Sequence, residues 1–420
     1  MYSMRTLVTL LSAVTLLSAC GDGTGPNGTG AVDSLAALPR ALSTTEQQAV
    51  RSSNEFAMRL LRQTNEGASG NVLLSPLSVS LALGMTMNGA AGGTLQEMQQ
   101  VLGWGSTARA DINVAYRDLM AMLPALDPSV TVRLANGIWV RQPLVPDTGF
   151  VRDAASFFGA PVQSLATPQL MFDSVNAWGN RATRGMIPRV LTDPPPQDLV
   201  MLLANAVYFA GTWRDRFNAA DTRSQGFALE SGATVPVPMM RRKGAFRVAT
   251  MGSRGAAGTL SAVELPYGNS AFSMVLLRGS TGTVSDVVAA LDTTVLGQLA
   301  RGFVPADGES ELVLPRFSLR RALDLSRSLT DMGMPRAFSG SAEFPRLIAN
   351  ERTKLGFVQH SVAIDVDEAG TRAAAVTVVG VRAVSLPLAY VFDRPFVFLI
   401  RERLSGTVLF AGVVRDPRGE

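Results

Sequence analysis

The chain predicts an α+β fold with several sheets. Two features of the 420-residue sequence carry that prediction: helix-period apolar stripes crowd its first third, and strand-type runs fill most of the remainder. No regular alternation of strand and helix occurs, which argues against a doubly wound parallel sheet. No internal repeat is present, and no composition break marks a domain boundary after about residue 45.

Ser43-Thr44-Thr45-Glu46 has the pattern of a capping box, in which hydroxyl and carboxylate each satisfy the other's backbone N–H. Val50, Ala57, Leu60 and Leu61 extend it as a helical stripe through about Gln63. Ser75-Pro76-Leu77-Ser78 opens a second helix towards Gly89, with Pro in the first turn, where no hydrogen bond is lost. Residues 94–102 and 111–122 are the remaining early helices. Strand patterns then take over. Residues 130–140 alternate, 199–210 are a nearly continuous apolar run, and Phe246-Arg247-Val248, 261–265 and 272–277 come next, the last after a Tyr267-Gly268-Asn269 turn. Residues 312–319 alternate around Pro315, 322–332 read as helix, and 357–366 as extended chain. The final strands, 396–401 and 408–414, flank a Leu404-Ser405-Gly406 turn.

With 47% hydrophobic residues the chain can bury a large core. Its net charge of +4 comes almost wholly from Arg, Lys243 and Lys354 being the only lysines. No basic run of five or more exists, so the charges read as a solvated surface and not as a nucleic-acid patch.

The N-terminus reads as a targeting segment. Arg5 supplies a positive start, residues 7–17 are apolar but too short to span a bilayer, and Leu17-Ser18-Ala19-Cys20 comes directly after. That ending resembles a bacterial lipobox, which implies lipidation at Cys20, membrane contact through that lipid only, and a place in the cell envelope or outside the cell. Cys20 is the single cysteine, so no intramolecular disulfide can form. Residues 1–20 are thus expected as a signal peptide, 21–44 as a flexible linker and 45–420 as the folded domain. The linker contains Gly23-Thr24-Gly25-Pro26-Asn27-Gly28, a formal dinucleotide fingerprint. It lacks the preceding strand that such a site needs and carries Pro26 inside it.

Enzymatic chemistry finds little support. His360 is the only histidine, and Asp365 and Asp367, five and seven residues on, do not aim at it along a strand. No G-x-S-x-G elbow occurs, and the His and Cys ligands of a zinc site are missing. His360 reads as a hydrogen-bonded core residue, and no metal or cofactor is expected.

Residues 368–384 are the most informative stretch. Fourteen of these seventeen are Ala, Gly, Val or Thr. Thr371, Ala373, Ala375, Thr377, Val379 and Val381 share one uncharged face of an extended chain, while Arg372 and Arg382 fall on the other. Gly370 and the alanines after it read as a hinge, because Gly is depleted within strands and Ala is a weak strand former. Such a segment can be strand in one state and loop in another.

Motifs in a fixed order then match one family. They are Asn71-Val-Leu-Leu-Ser-Pro-Leu-Ser-Val-Ser80 with Gly89-Ala-Ala-Gly-Gly-Thr94, Asn136-Gly-Ile-Trp139, Asn176-Ala-Trp178 through Ile187, and Leu203-Ala-Asn205-Ala-Val-Tyr-Phe209 with Gly211-Thr-Trp213. Val263-Glu-Leu-Pro-Tyr267, Leu314-Pro-Arg-Phe317, His360 to Ala375 and Arg394-Pro-Phe-Val-Phe398 complete the series. From about residue 45 the chain resembles the serpins.

The resemblance implies a serpin fold, with three sheets, about nine helices and an exposed reactive-centre loop, and a protease inhibitor in place of an enzyme. The inhibitor is a suicide substrate. A serine protease of the chymotrypsin or elastase type cleaves the loop and forms an acyl-enzyme. It is then trapped as a covalent complex when the loop inserts into the central sheet of a metastable monomer. Residue by residue, Glu368, Gly370, Thr371, Ala373, Ala374 and Ala375 match the hinge, and Val384–Ser385 the reactive bond. Arg382–Ala383 is the alternative bond. Ala369 departs from the family's usual polar residue. Ser75, Ser78, Asn205 and His360 match the hydrogen-bonded shutter, and Trp213 the breach at the top of the sheet. Val384 suits a shallow apolar specificity pocket, hence an elastase-like target. A non-inhibitory surface binding protein and a papain-type cysteine-protease inhibitor are the alternatives.

Overall fold

A computed structural model of the chain describes residues 34–252, 255–349, 351–371 and 388–419. Its strands sort into three sheets. The first joins seven strands in the order Val72–Leu74, Val408–Val414, Phe396–Glu402, Phe272–Gly279, Thr259–Pro266, Arg247–Gly252 and Val304–Pro305. Phe396–Glu402 and Val408–Val414 are buried at every position, as their unbroken apolar runs require of strands covered on both faces. The second has four strands, ordered Leu388–Val391, Ser310–Pro315, Thr234–Gly244 and Arg223–Ala228. The third carries the candidate site. Its six strands run Phe317–Asp324, Gln359–Val366, Gly370–Thr371, Met201–Thr212, Val130–Arg141 and Val162–Leu165.

Nine α-helices are present among the described residues. Thr44–Asn65 begins with the expected capping box: Ser43 Oγ accepts from the Glu46 N–H, and the Glu46 carboxylate accepts from the Ser43 N–H at 2.8 Å. Pro76–Met87 is buried at all but one position and packs against the Met201–Thr212 and Val408–Val414 strands. An apolar helix without a polar face must lie inside the molecule. One extensive core unites these elements, and a smaller cluster lies under the Pro168–Ala182 helix, where Trp139 meets Trp178 edge-on at 5.2 Å.

Three expectations are revised. The run 312–319 is two strands in different sheets, ending at Pro315 and resuming at Phe317. The Arg316 N–H makes the last bond of the four-stranded ladder, donating to Pro238 O at 2.9 Å, and Phe317 then pairs with Val366 in the six-stranded sheet. The helix expected over 322–332 shrinks to Ser326–Asp331, because residues through Asp324 pair in register with Gln359–Val366. Residues 35–42, within the expected linker, also pack on the folded domain. The Leu35 N–H donates to Asn269 O at 2.8 Å, and Leu35, Leu38 and Leu42 pack on the core. Helices Thr148–Phe158, Val284–Ala290 and Thr293–Gly302 add to those expected from periodicity.

Candidate functional site

Strands Met201–Thr212 and Gln359–Val366 flank a slot in the six-stranded sheet, and Gly370–Thr371 occupies its upper end. Thr371 pairs with Val366 on one side and Gly211 on the other, while Gly370 pairs with Thr212. Only glycine fits at 370: a Cβ there would stand 2.1 Å from the Gly211 carbonyl oxygen. Chain reversal into the slot is built by Asp367. Its carboxylate accepts from the N–H groups of Ala369 at 2.8 Å and Gly370 at 3.1 Å, and its own N–H donates to Gly370 O at 2.9 Å. Burial raises the Asp367 carboxyl above its ordinary value, against the pull of those two donors.

Trp213 clasps this turn from beside the slot. Its backbone N–H donates to Ala369 O at 2.9 Å and its indole N–H to Asp367 O at 2.8 Å. The indole stacks on Tyr267, with centroids 4.5 Å apart and planes 16° from parallel. The Tyr267 hydroxyl in turn meets Thr371 Oγ1 at 2.7 Å. Both Thr371 and Tyr267 are fully buried, and burial drives the phenol pKa far up, so it stays a neutral partner.

Glu368 ties the turn to the four-stranded sheet. Its carboxylate accepts from Thr222 Oγ1 at 2.6 Å and from Arg316 Nη2 at 2.6 and 2.7 Å. Burial alone would raise this carboxyl, but Thr222 and Arg316 outweigh it and hold the group below its ordinary value. Arg316 occupies the link between the Ser310–Pro315 and Phe317–Asp324 strands, so the ion pair spans two sheets.

Lower in the molecule, two hydrogen-bond chains run beneath the slot. The Ser75 N–H donates to His360 Nε2 at 3.0 Å, and Ser75 Oγ donates to Leu409 O at 2.8 Å. Separately, Ser78 Oγ donates to Asn205 Oδ1, Asn205 Nδ2 donates to Asn136 Oδ1 at 2.6 Å, and Asn136 Nδ2 donates to Phe158 O at 2.7 Å. His360 is buried, which pulls its imidazole down to about 4. It stands across the slot from Asn205, on the other flanking strand. With its Nε2 occupied by a backbone N–H, His360 is placed as an acceptor and not as a general base. The arrangement holds no activated nucleophile. It is a seam: two strands parted at the top by a short insert and held from below by neutral polar groups.

The family model described as "Serpin (serine protease inhibitor)" matches residues 51–417. The chain is a serpin. Human neuroserpin is 30% identical over 85% of this serpin and 88% of its own length. Rat glia-derived nexin is 30% identical over 83% and 88%. Among solved structures, human thyroxine-binding globulin complexed with thyroxine superposes with TM-score 0.81 at 26% identity, covering 89% of this chain and all of its own. The thermophilic serpin tengpin in its native state gives 0.79 at 25% identity, covering 92% and 97%. The fold expectation holds, and the function at family level is protease inhibition and not catalysis.

Of the residues expected at the site, Glu368, Gly370, Thr371 and Trp213 come together at the top of the slot. Ser75, Ser78, Asn205 and His360 lie together below it, in two chains and not one. Exposed bait is the expectation from Glu368 onward. Glu368 and Ala369 are instead buried in the turn and Gly370 and Thr371 in the six-stranded sheet, because Tyr267, Trp213 and Arg316 offer these residues partners that solvent-exposed chain would lack. Ala373, Ala374, Ala375, Arg382, Ala383, Val384, Ser385 and Cys20 lie outside the described residues. Arg316, Thr222 and Asn136 carry no role expected from sequence, Tyr267 reads there only as part of a turn, and Asp367 only as a rejected partner of His360. Arg316 and Asn136 are visible there only as letters within matched motifs.

Proposed function

We propose that this serpin is an inhibitory suicide substrate of a serine protease with an elastase-like pocket, cleaved between Val384 and Ser385. One observation carries the reading. Gly370–Thr371 already pairs on both edges in the slot, and the sequence beyond it continues with uncharged small residues on the slot-facing parity. Cleavage would free that continuation to zip downward as a strand, extending a ladder that has already started. The acyl-enzyme bond forms between the protease serine and the Val384 carbonyl, and the Ser385 amine leaves with the proton taken from that serine. Insertion then carries the bound protease away before water can attack the ester. Lipid attachment at Cys20 would hold the inhibitor at the cell envelope, acting as a monomer.

The test is incubation with elastase, trypsin and papain-type proteases, followed by denaturing electrophoresis and N-terminal sequencing. A detergent-stable band at the summed mass with elastase, and a new N-terminus at Ser385, are expected. Clean cleavage without that band would sink the trap. Stable trapping by trypsin would move the bond to Arg382–Ala383, shortening the inserted segment to fifteen residues from Glu368.

A further inference from the structure

Ser34 and Leu35, upstream of the residues that the family model matches, are fastened to the turn that presents Tyr267 to Thr371. The Leu35 N–H donates to Asn269 O at 2.8 Å, and Arg403 Nη2 donates to Leu35 O at 2.9 Å. Arg214 Nη1 donates to Ser34 Oγ at 2.7 Å and to Ser270 Oγ at 3.1 Å. Arg403 Nε donates to Ser270 O at 2.8 Å, so both arginines hold the strap and the turn together. Leu35, Leu38 and Leu42 then pack on the core on the way to the Thr44–Asn65 helix. Arg214 adjoins Trp213, whose backbone N–H is bonded to Ala369 O. Ser34 is thus one arginine side chain and one peptide step from the seated hinge, at most about 20 Å.

That fastening decides which end of the fold an anchor at Cys20 holds. Cys20 and Ser34 are fourteen chain steps apart, at most about 50 Å when fully extended. A Gly-rich chain of this length spans about 20 Å on average. A folded domain of this size is roughly 55 Å across, and a trypsin-sized protease roughly 45 Å. With the lipid at Cys20, the loop-entry end of the seam is therefore the end kept near the bilayer. A protease docked there stands beside the same bilayer. A tether leaving from the lower end of the seam would set the loop about one domain diameter farther out.

We propose that the protease trapped by this serpin is itself attached to the membrane that carries the Cys20 lipid. This rests on the proposed trap and lipid, and adds where the target sits. Two partners confined to one surface within a few tens of ångströms meet at an effective concentration in the millimolar range, with no new contact between them. A freely diffusing protease gains nothing from such a tether. The strap thus converts an anchor into a preference for a neighbour on the same membrane.

The test uses the chain from Cys20 onward, its single cysteine coupled to a maleimide phospholipid in vesicles. The comparison form is Cys20→Ser/Arg327→Cys, coupled through position 327. Arg327 is exposed, in the Ser326–Asp331 helix beyond the lower end of the Phe317–Asp324 strand. Elastase is held on the same vesicles by a short chelating tether. Before coupling, both forms should melt at the same temperature and trap free elastase at the same rate. On vesicles, the form coupled at Cys20 is expected to give covalent complex at least about fivefold faster than the form coupled at 327. Equal rates, or faster trapping by the second form, overturn the placement and leave the trap standing. No covalent complex in free solution sinks the trap, and the placement with it. Fatty-acid labelling of the full chain in a bacterial host is read separately. Label that Cys20→Ser abolishes is expected; its absence removes the lipid and the placement but not the trap.

Discussion

His360 shows how one buried titratable group sets the stability of the seam. Burial lowers its pKa from 6.5 to about 4, so the unfolded chain binds this proton more tightly than the folded one. Stability is therefore expected to be complete above about pH 6.5 and to fall as pH drops towards 4, by roughly 3 kcal/mol in all. Melting temperature measured from pH 7 to pH 4 should fall less steeply for His360→Gln, which keeps an acceptor for the Ser75 N–H but cannot titrate. Parallel curves would remove His360 as the cause. At the slot, Thr371→Arg sets a guanidinium where the structure has a fully buried hydroxyl on Tyr267. Burying that unpaired charge costs several kcal/mol. The stoichiometry of inhibition should then rise severalfold as the inhibitor becomes a substrate, and an unchanged value would count against slot-facing parity.

At the scale of elements, the Asp367–Thr371 turn is held by two sheets at once. Glu368 receives Thr222 and Arg316 from around the four-stranded sheet, while Trp213 and Tyr267 hold the neighbouring backbone and Thr371. Glu368→Gln keeps the shape but weakens the charge-assisted bonds. Because Arg316 is half exposed, solvent screens the pair, and a loss of about 1 kcal/mol is expected at neutral pH. The folded pKa of Glu368 is depressed, so its contribution is present at neutral pH and lost as acid protonates the carboxylate. Melting curves of wild type and variant should converge as pH falls below the ordinary carboxylate range; a constant gap would show that the carboxylate charge is not what matters. Element identities were mostly legible where one pattern ruled, as in Thr44–Asn65 and Met201–Thr212. They failed at 322–332, where a helix-like spacing lost to a cross-strand partner that the local sequence does not contain.

For the whole molecule, the neighbouring strands Met201–Thr212 and Gln359–Val366 share no backbone pairing with each other, and Gly370–Thr371 bridges them only at one end. Loop cleavage followed by insertion should complete the ladder, and each new pair contributes about 1 kcal/mol. A rise in melting temperature of well over 10 °C is expected on limited proteolysis with a non-target enzyme, read by calorimetry. No rise would mean that the cut chain stays out of the sheet. The parity of residues 368–384, the lone histidine, the absent nucleophile elbow and the ordered motifs were all readable in one dimension, because they depend on residue type and spacing alone. Those features determined the α+β class, the family and the uncharged parity of residues 368–384. Only the tertiary structure decided that the start of the hinge, Glu368 to Thr371, is already seated, that Tyr267 and Arg316 receive it, and that the shutter is two separate chains. These are contacts between residues some fifty to nearly three hundred positions apart, and no local propensity encodes which distant side chain will complete a buried hydrogen bond.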